Sequence, residues 1–254
     1  MRLGIIQGRL SEPVEGFQEC PLEWKREFNL IEKLKLNHIE WIVTYENFHN
    51  NPIFSEDVVN YPISSVCADF MVSDNFCDPT YLKNYLKPLC IAVSSNNIKN
   101  ITIPLLENSN VDNKHIREKF INSIKPYTET YNNINFLIEA ELHHQKLKDI
   151  LEIGNNLFIT YDTGNITSYG LCAEDYIYEL CDRIKQVHIK DRTINPLKTV
   201  EPNTGDTDFK TIFKCLKEGG FDGIYTLQTA RGVSGSEIKT IKKHKEIISK
   251  LYYG

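Results

Sequence analysis

Four residues of this chain stand where side-chain chemistry could gather. Glu139 closes Phe-Leu-Ile-Glu, Asp162 closes Ile-Thr-Tyr-Asp, His188 closes Gln-Val-His, and Gln228 closes Tyr-Thr-Leu-Gln. Each is a polar donor at the end of an apolar, β-rich run. Two carboxylates, an imidazole and an amide oxygen make a mixed oxygen and nitrogen set that suits Mn2+, Mg2+, Co2+, Fe2+ or Zn2+ better than a soft-metal site would. With ionised carboxylates and a neutral imidazole the set carries about −2, which balances a divalent cation. Taken singly, these residues have ordinary explanations: Asp162 before Thr-Gly-Asn can open a turn, His188 can be a satisfied core histidine, and Gln228 alone says little. Glu139 is harder to explain that way, because an unpaired carboxylate beside an apolar core is costly.

A fold that carries the four run ends to one place turns them into a site, and the rest of the sequence predicts such a fold. The 254 residues are close to the roughly 250 of an eight-stranded α/β barrel. Eight β-rich runs, at 3–7, 38–43, 63–69, 98–104, 134–140, 157–162, 184–190 and 223–228, alternate with longer amphipathic segments. With no Pro/Gly/Ser linker or composition break, this alternation predicts parallel βα units in a single (β/α)8 barrel domain spanning 1–254. In such a barrel the C-terminal strand ends converge on one mouth.

The covering helices show in the spacing of Leu22, Phe28, Ile31 and Leu34, and of Ile238, Ile241, Ile247, Ile248 and Leu251. Asp112 is the expected N-cap of a helix over 114–131, and Asp206 or Thr207 that of a helix opening at Phe209. The second unit is the weakest, with a short helix candidate at 55–59 inside an Asn-rich loop. Long loops of this kind usually shape a barrel's mouth.

Charge and cysteine usage narrow the partners. With 29 basic and 34 acidic residues the net charge is −5, too acidic for a field that gathers nucleic acid or an anionic membrane. Gln7 and Arg9 interrupt the first apolar run, leaving it too short for a signal segment or a membrane span. Seven cysteines with no C-x-x-C pair read as reduced thiols of a cytoplasmic protein.

Together these residues resemble the xylose isomerase-like TIM-barrel superfamily, in its sugar phosphate isomerase/epimerase branch. The opening Leu-Gly-Ile-Ile-Gln7-Gly8-Arg9-Leu is similar to a first-strand signature of one subgroup. Further similarity lies in Ile-Glu40-Trp41, Ser65-Val-Cys67-Ala-Asp69, Ile-Glu139, Tyr-Asp162-Thr-Gly-Asn165, Val-His188-Ile-Lys190-Asp191, Gly205-Asp-Thr-Asp208-Phe209 and Leu-Gln228-Thr-Ala-Arg231. The resemblance implies that Glu139, Asp162, His188 and Gln228 hold one divalent metal (Mn2+, Mg2+, Co2+ or Zn2+), with Glu139 and the position of Gln228 acting on the substrate. It also implies a small-molecule sugar or sugar phosphate as partner, and pairing into a homodimer. Gln228 departs from the glutamate common there. An amide can coordinate through oxygen but cannot take a carbon-bound proton near neutral pH, which puts a two-glutamate shuttle in doubt.

The chemistry that follows is proton abstraction beside a carbonyl, with Glu139 as base and an enediolate held by the metal. Gln7, Arg9, Asn165, Lys190, Arg192 and Arg231 are the expected substrate contacts, the cations serving a phosphate near the loops after the seventh and eighth runs. Trp24, Trp41, Tyr45, Phe48 and Phe70 lie near early run ends where a sugar face could stack. His143-His144 is expected to start a helix, and Glu141 is a reserve base. Three rivals use the same residues or fold. They are a dehydratase or lyase on a keto-sugar or keto-inositol, an abasic-site nuclease for which the early run ends lack histidines, and a barrel that binds sugar without turnover.

Overall fold

The computed structural model describes residues 1–13 and 20–254. Eight strands close a parallel barrel in the order β1 (Leu3–Ile6), β10 (Ile224–Leu227), β7 (Ile184–Ile189), β6 (Leu157–Asp162), β5 (Asn135–Ala140), β4 (Asn100–Leu105), β3 (Ile63–Cys67) and β2 (Ile39–Ile42). All eight expected runs are strands, displaced by at most two residues at their ends. A two-stranded antiparallel hairpin, β8 (Asp191–Thr193) with β9 (Lys198–Val200), follows β7 directly and had no counterpart in the sequence reading.

Contacts group the chain into two arcs, 1–39 with 161–254 and 40–160. In the first, β10 pairs with β1, Leu3 opposite Tyr225, and with β7, Thr226 opposite His188. Its helices are α1 (Trp24–Lys33), α6 (Thr163–Ser168), α7 (Ala173–Leu180), α8 (Phe209–Glu218) and α9 (Glu237–Tyr253). Helix α1 turns Trp24, Glu27, Phe28, Leu30 and Ile31 inward, the three- and four-residue spacing of one helical face. Leu22 does not belong to that face; it is 96 % exposed, two residues before the helix starts. Position 4 must be glycine, since a Cβ there would lie 2.2 Å from the His38 ring.

In the second arc, β4 pairs with β3 and β5, and β5 continues to the start of β6, Ile138 opposite Ile159. Its helices are α2 (Pro79–Asn84), α3 (Leu86–Ser95), α4 (Lys114–Thr130) and α5 (His144–Leu151). The segment expected as a helix at 55–59 is instead short 3-10 turns at Pro52–Phe54 and Glu56–Val58, capped by Asn51 and Ser55. The side chains alternate as strands require, so the interior carries a polar layer: Thr102 Oγ1 donates to Glu40 Oε1 at 2.8 Å and lies 3.4 Å from Thr160 Oγ1.

Both expected helix caps are displaced by one or two residues. Asn113, not Asp112, caps α4 by accepting from the His115 and Ile116 amides, while Asp112 pairs with Lys146. Asp208, rather than Asp206 or Thr207, caps α8 by accepting from Thr211. Asp206 instead accepts from the Ile194 amide at 2.7 Å. In each case neighbouring polar residues compete for one position, and tertiary partners draw the losers away.

Candidate metal centre

Glu139, Asp162 and His188 each occupy or adjoin the C-terminal end of their strand, on β5, β6 and β7. All three are buried, and their ligand atoms lie within 4.8 Å of one another. Among the described residues they are the one such group of His, Cys, Asp and Glu.

The surroundings set the chemistry of each donor. Asp162 Oδ1 accepts from the Asn165 amide at 2.8 Å and so caps α6. Its Oδ2 lies 2.7 Å from the Lys190 ammonium and 4.0 Å from His188 Nδ1. Burial works to raise the Asp162 carboxyl, but Lys190, His188 and these hydrogen bonds outweigh it and hold the group below its ordinary value. It is therefore an anion throughout the neutral range. The Gln186 amide lies 2.7 Å from His188 Nε2. The contact is made by the Gln186 side-chain nitrogen, which donates, so His188 Nε2 accepts there and the ring orientation is fixed. With Nε2 so engaged, Nδ1 is the nitrogen turned toward Asp162.

Gln228 is buried, and its backbone N–H donates to the Ile189 carbonyl at 3.0 Å. Thr226 is opposite His188 in the register, so Gln228 lies on the same strand face two residues further toward the mouth. Its Oε1 is buried with no hydrogen-bond partner among the described residues. An amide oxygen left in that state is expensive unless something else binds it. The donors present therefore fit a divalent cation: two carboxylates and an imidazole gathered together, with an oriented amide oxygen on the neighbouring strand.

The other expected contacts fall into two groups. Lys190 and Asn165 join the Asp162 cluster, Lys190 Nζ standing 3.4 Å from Asn165 Oδ1. Lys190 is thus a partner of Asp162 first, and a substrate cation only by way of it. Gln7 and Arg9 are buried on the segment that leaves β1. That segment is held by Glu27 of α1, which accepts from the Gly8 and Leu10 amides and the Ser11 hydroxyl at 2.9, 3.1 and 2.9 Å. Burial pushes the Glu27 carboxyl up. Arg231 donates from Nη1 to the Ser11 carbonyl at 3.2 Å, while its Nε and Nη2 have no partner among the described residues. It lines a cleft of about 760 Å3 with Lys239, Lys243, His244 and Glu201. Arg192 is carried away on the hairpin, where Nη1 reaches Ser168 Oγ at 3.4 Å.

Of the aromatic residues, Trp24, Trp41, Phe48 and Phe70 are core, and Trp41 Nε1 donates to Asn51 at 2.7 Å; Tyr45 alone of the five is exposed. His143 caps α5, its Nδ1 accepting from the Gln145 amide at 3.3 Å. Glu141 falls just beyond β5, which ends at Ala140.

Sequence reasoning missed Gln186 and Asp191. Asp191 is fully buried and accepts from the Thr204, Gly205 and Thr207 amides at 3.0, 2.9 and 3.2 Å, fastening the hairpin back to the ligand strand. A signal for Gln186 existed. The polar residue two positions before a strand-end donor shares its face, as Thr160 does for Asp162 and Thr226 for Gln228.

A closed parallel barrel with acidic and imidazole donors at successive strand ends defines the class to which this chain belongs, the (β/α)8 barrels. The family model for the xylose isomerase-like TIM barrel matches residues 97–250, more than half of the sequence, and the chain belongs to that family. No curated protein matches the sequence. Among solved structures, the fold is similar to that of the IolI protein with a bound zinc atom, at TM-score 0.76 and 16 % identity over 100 % of both chains. It is also similar to 3-keto-D-glucoside 4-epimerase YcjR from E. coli, at TM-score 0.73 and 14 % identity over 98 % of this chain and 99 % of that one. The probable 3-DHS dehydratase AsbF from Bacillus anthracis gives TM-score 0.69 and 14 % identity over 98 % and 99 %. Likeness at these identities concerns the fold. No helix among the described residues is long and apolar enough to cross a membrane.

Proposed function

We propose that the protein is a metal-dependent isomerase or epimerase of a sugar or sugar phosphate, working through an enediolate formed by proton abstraction beside a carbonyl. The observation that carries this reading is the convergence of Glu139, Asp162 and His188, joined just past β10 by the buried Gln228 Oε1, which has no partner among the described residues. These four residues would hold Mn2+, Mg2+, Co2+ or Zn2+, and a bound cation would supply polarisation of the substrate carbonyl and its neighbouring hydroxyl. Glu139 takes the carbon-bound proton and returns it to the adjacent carbon. Asp162 stays anionic because Lys190 and His188 hold it so. Gln228 orients without exchanging protons, since a neutral amide has no site basic enough to take up a carbon-bound proton near neutral pH. Among the epimerases, isomerases and dehydratases that share this fold, AsbF is described as a dehydratase. Gln228 favours such a one-base reaction as the second reading, in which Glu139 removes the proton and a hydroxide leaves.

Proton NMR in deuterated water tests the shared step. Metal-loaded protein and a panel of aldoses, ketoses, keto-inositols and their phosphates should show deuterium entering beside a carbonyl, lost in Glu139→Gln. Recovery of an isomer or of a dehydrated product separates the two readings. Ligand-dependent thermal stabilisation without any exchange would leave a sugar-binding barrel instead.

A further inference from the structure

The cation that pairs with Asp162 is built into the metal centre by the chain around it. Lys190 follows His188 by two residues, just past the end of β7, so both side chains leave on the same face. Its backbone is tied twice to Thr163 at the start of α6. The Lys190 amide donates to Thr163 Oγ1 at 3.0 Å, and that hydroxyl donates to the Lys190 carbonyl at 2.6 Å. The aliphatic stem lies over Gly164, where a Cβ would come within 2.9 Å of Lys190 Cγ. Glycine at 164 therefore lets the stem pass, and the whole lysine is buried.

The ammonium ends on a particular atom. Asp162 Oδ1 is taken by the Asn165 amide at 2.8 Å, and Oδ2 faces His188 Nδ1 at 4.0 Å. Oδ2 is thus the oxygen left for a metal, and Lys190 Nζ lies 2.7 Å from it. A neutral donor behind a ligand orients it and strengthens a metal site. An ammonium differs, because it brings a full positive charge to the atom that a cation would bind. With both carboxylates ionised and His188 neutral, the donors carry about −2, and Lys190 reduces this to about −1.

We propose that Lys190 is the internal counter-ion of Asp162 and competes with the divalent cation for Oδ2, so that it sets how tightly the metal is held. When no metal is bound, the ammonium spares the protein a buried, unpaired carboxylate. When a metal takes Oδ2, the ammonium turns toward Asn165 Oδ1, already 3.4 Å from Nζ. The ties to Thr163 persist, so the exchange moves only the end of one side chain. This inference rests on the proposed function only for the identity of the metal donors.

Calorimetry with Mn2+ on the full chain, on Lys190→Gln and on Lys190→Met tests it, together with thermal unfolding in EDTA and in Mn2+. Glutamine keeps a donor for Oδ2 and drops the charge, so it separates competition from orientation. Both variants should unfold at lower temperature in EDTA, bind Mn2+ about tenfold more tightly than the parent, and gain more from Mn2+ in thermal unfolding. Lysine acetylation read by mass spectrometry needs no variant: in the parent protein Lys190 should be protected in EDTA and become reactive in Mn2+. Equal or weaker Mn2+ binding in Lys190→Gln overturns the competition while leaving the metal-dependent reaction standing, as does equal protection of Lys190 in EDTA and Mn2+. Tighter Mn2+ binding in Lys190→Gln without proton exchange on any sugar would keep the counter-ion and remove the isomerase reading. Failure of all three chains to bind Mn2+ would remove both.

Discussion

Asp162 ends β6 and Asp69 follows β3, and their electrostatics are opposite. Asp162 on the late strands is clamped by the Lys190 ammonium and the Asn165 amide, and its carboxyl is held below the ordinary value. Asp69 on the early strands has acidic neighbours, and its carboxyl is pushed up to about 6. The late strand ends gather the candidate metal donors, of which Asp162 and His188 are held by neighbouring polar groups. The early strand ends set Asp69 among other carboxylates, with no cation among the causes that shift it.

The sharpest way to break this comparison is Asp162→Ala, which leaves Lys190 buried without its anion and α6 without its cap. Denaturant unfolding should show a loss of about 3 to 5 kcal/mol, and calorimetry with Mn2+ should show no tight site. A stable protein that still binds Mn2+ would mean that the late cluster is not organised around Asp162. Glu139→Gln should follow, lowering the deuterium-exchange rate by about a hundred- to ten-thousand-fold with an unchanged far-ultraviolet dichroism spectrum. Gln186→Leu removes the partner of His188 Nε2, and Mn2+ affinity should fall by about ten- to a hundred-fold.

The smallest effect tests the early side. A folded carboxyl near 6 and an ordinary value of 3.8 mean that the folded state holds a proton the unfolded state lacks between those values. Stability falls as pH rises through that window, and the full penalty remains above it. Asp69→Asn, measured in EDTA, should therefore stabilise the protein at pH 7.5 by about 1 to 2 kcal/mol and have no effect below about pH 4. A substitution at Asp162 should show the opposite sign, because its lowered value contributes stability that is lost on acidification.

The barrel was legible because each strand is an apolar run and the long covering helices keep their spacing, whereas the segment at 55–59 was too short to show one; two-residue errors at strand ends do not alter that pattern. The donors on β5, β6 and β7 were legible because a polar residue that ends a buried run has to be placed somewhere. What escaped depended on tertiary pairing. Lys190 reads as a loop cation, and only the approach of β6 to β7 makes it the partner of Asp162. Asp112 and Asn113 are equivalent as caps until Lys146 takes one of them. The β8–β9 hairpin has no alternation long enough to announce itself, and Asp191 looks like one more polar residue after a strand.

Asp191 fastens the segment after β7 through amide hydrogens alone, from Thr204, Gly205 and Thr207, and every residue except proline carries that hydrogen. Only position 205 is constrained by shape, since a Cβ there would lie 2.4 Å from Asp191 Oδ1. The tip between β8 and β9 can therefore change in sequence without loosening the strand that carries His188. It is the natural place to exchange segments when a barrel of this kind is refitted to a new substrate.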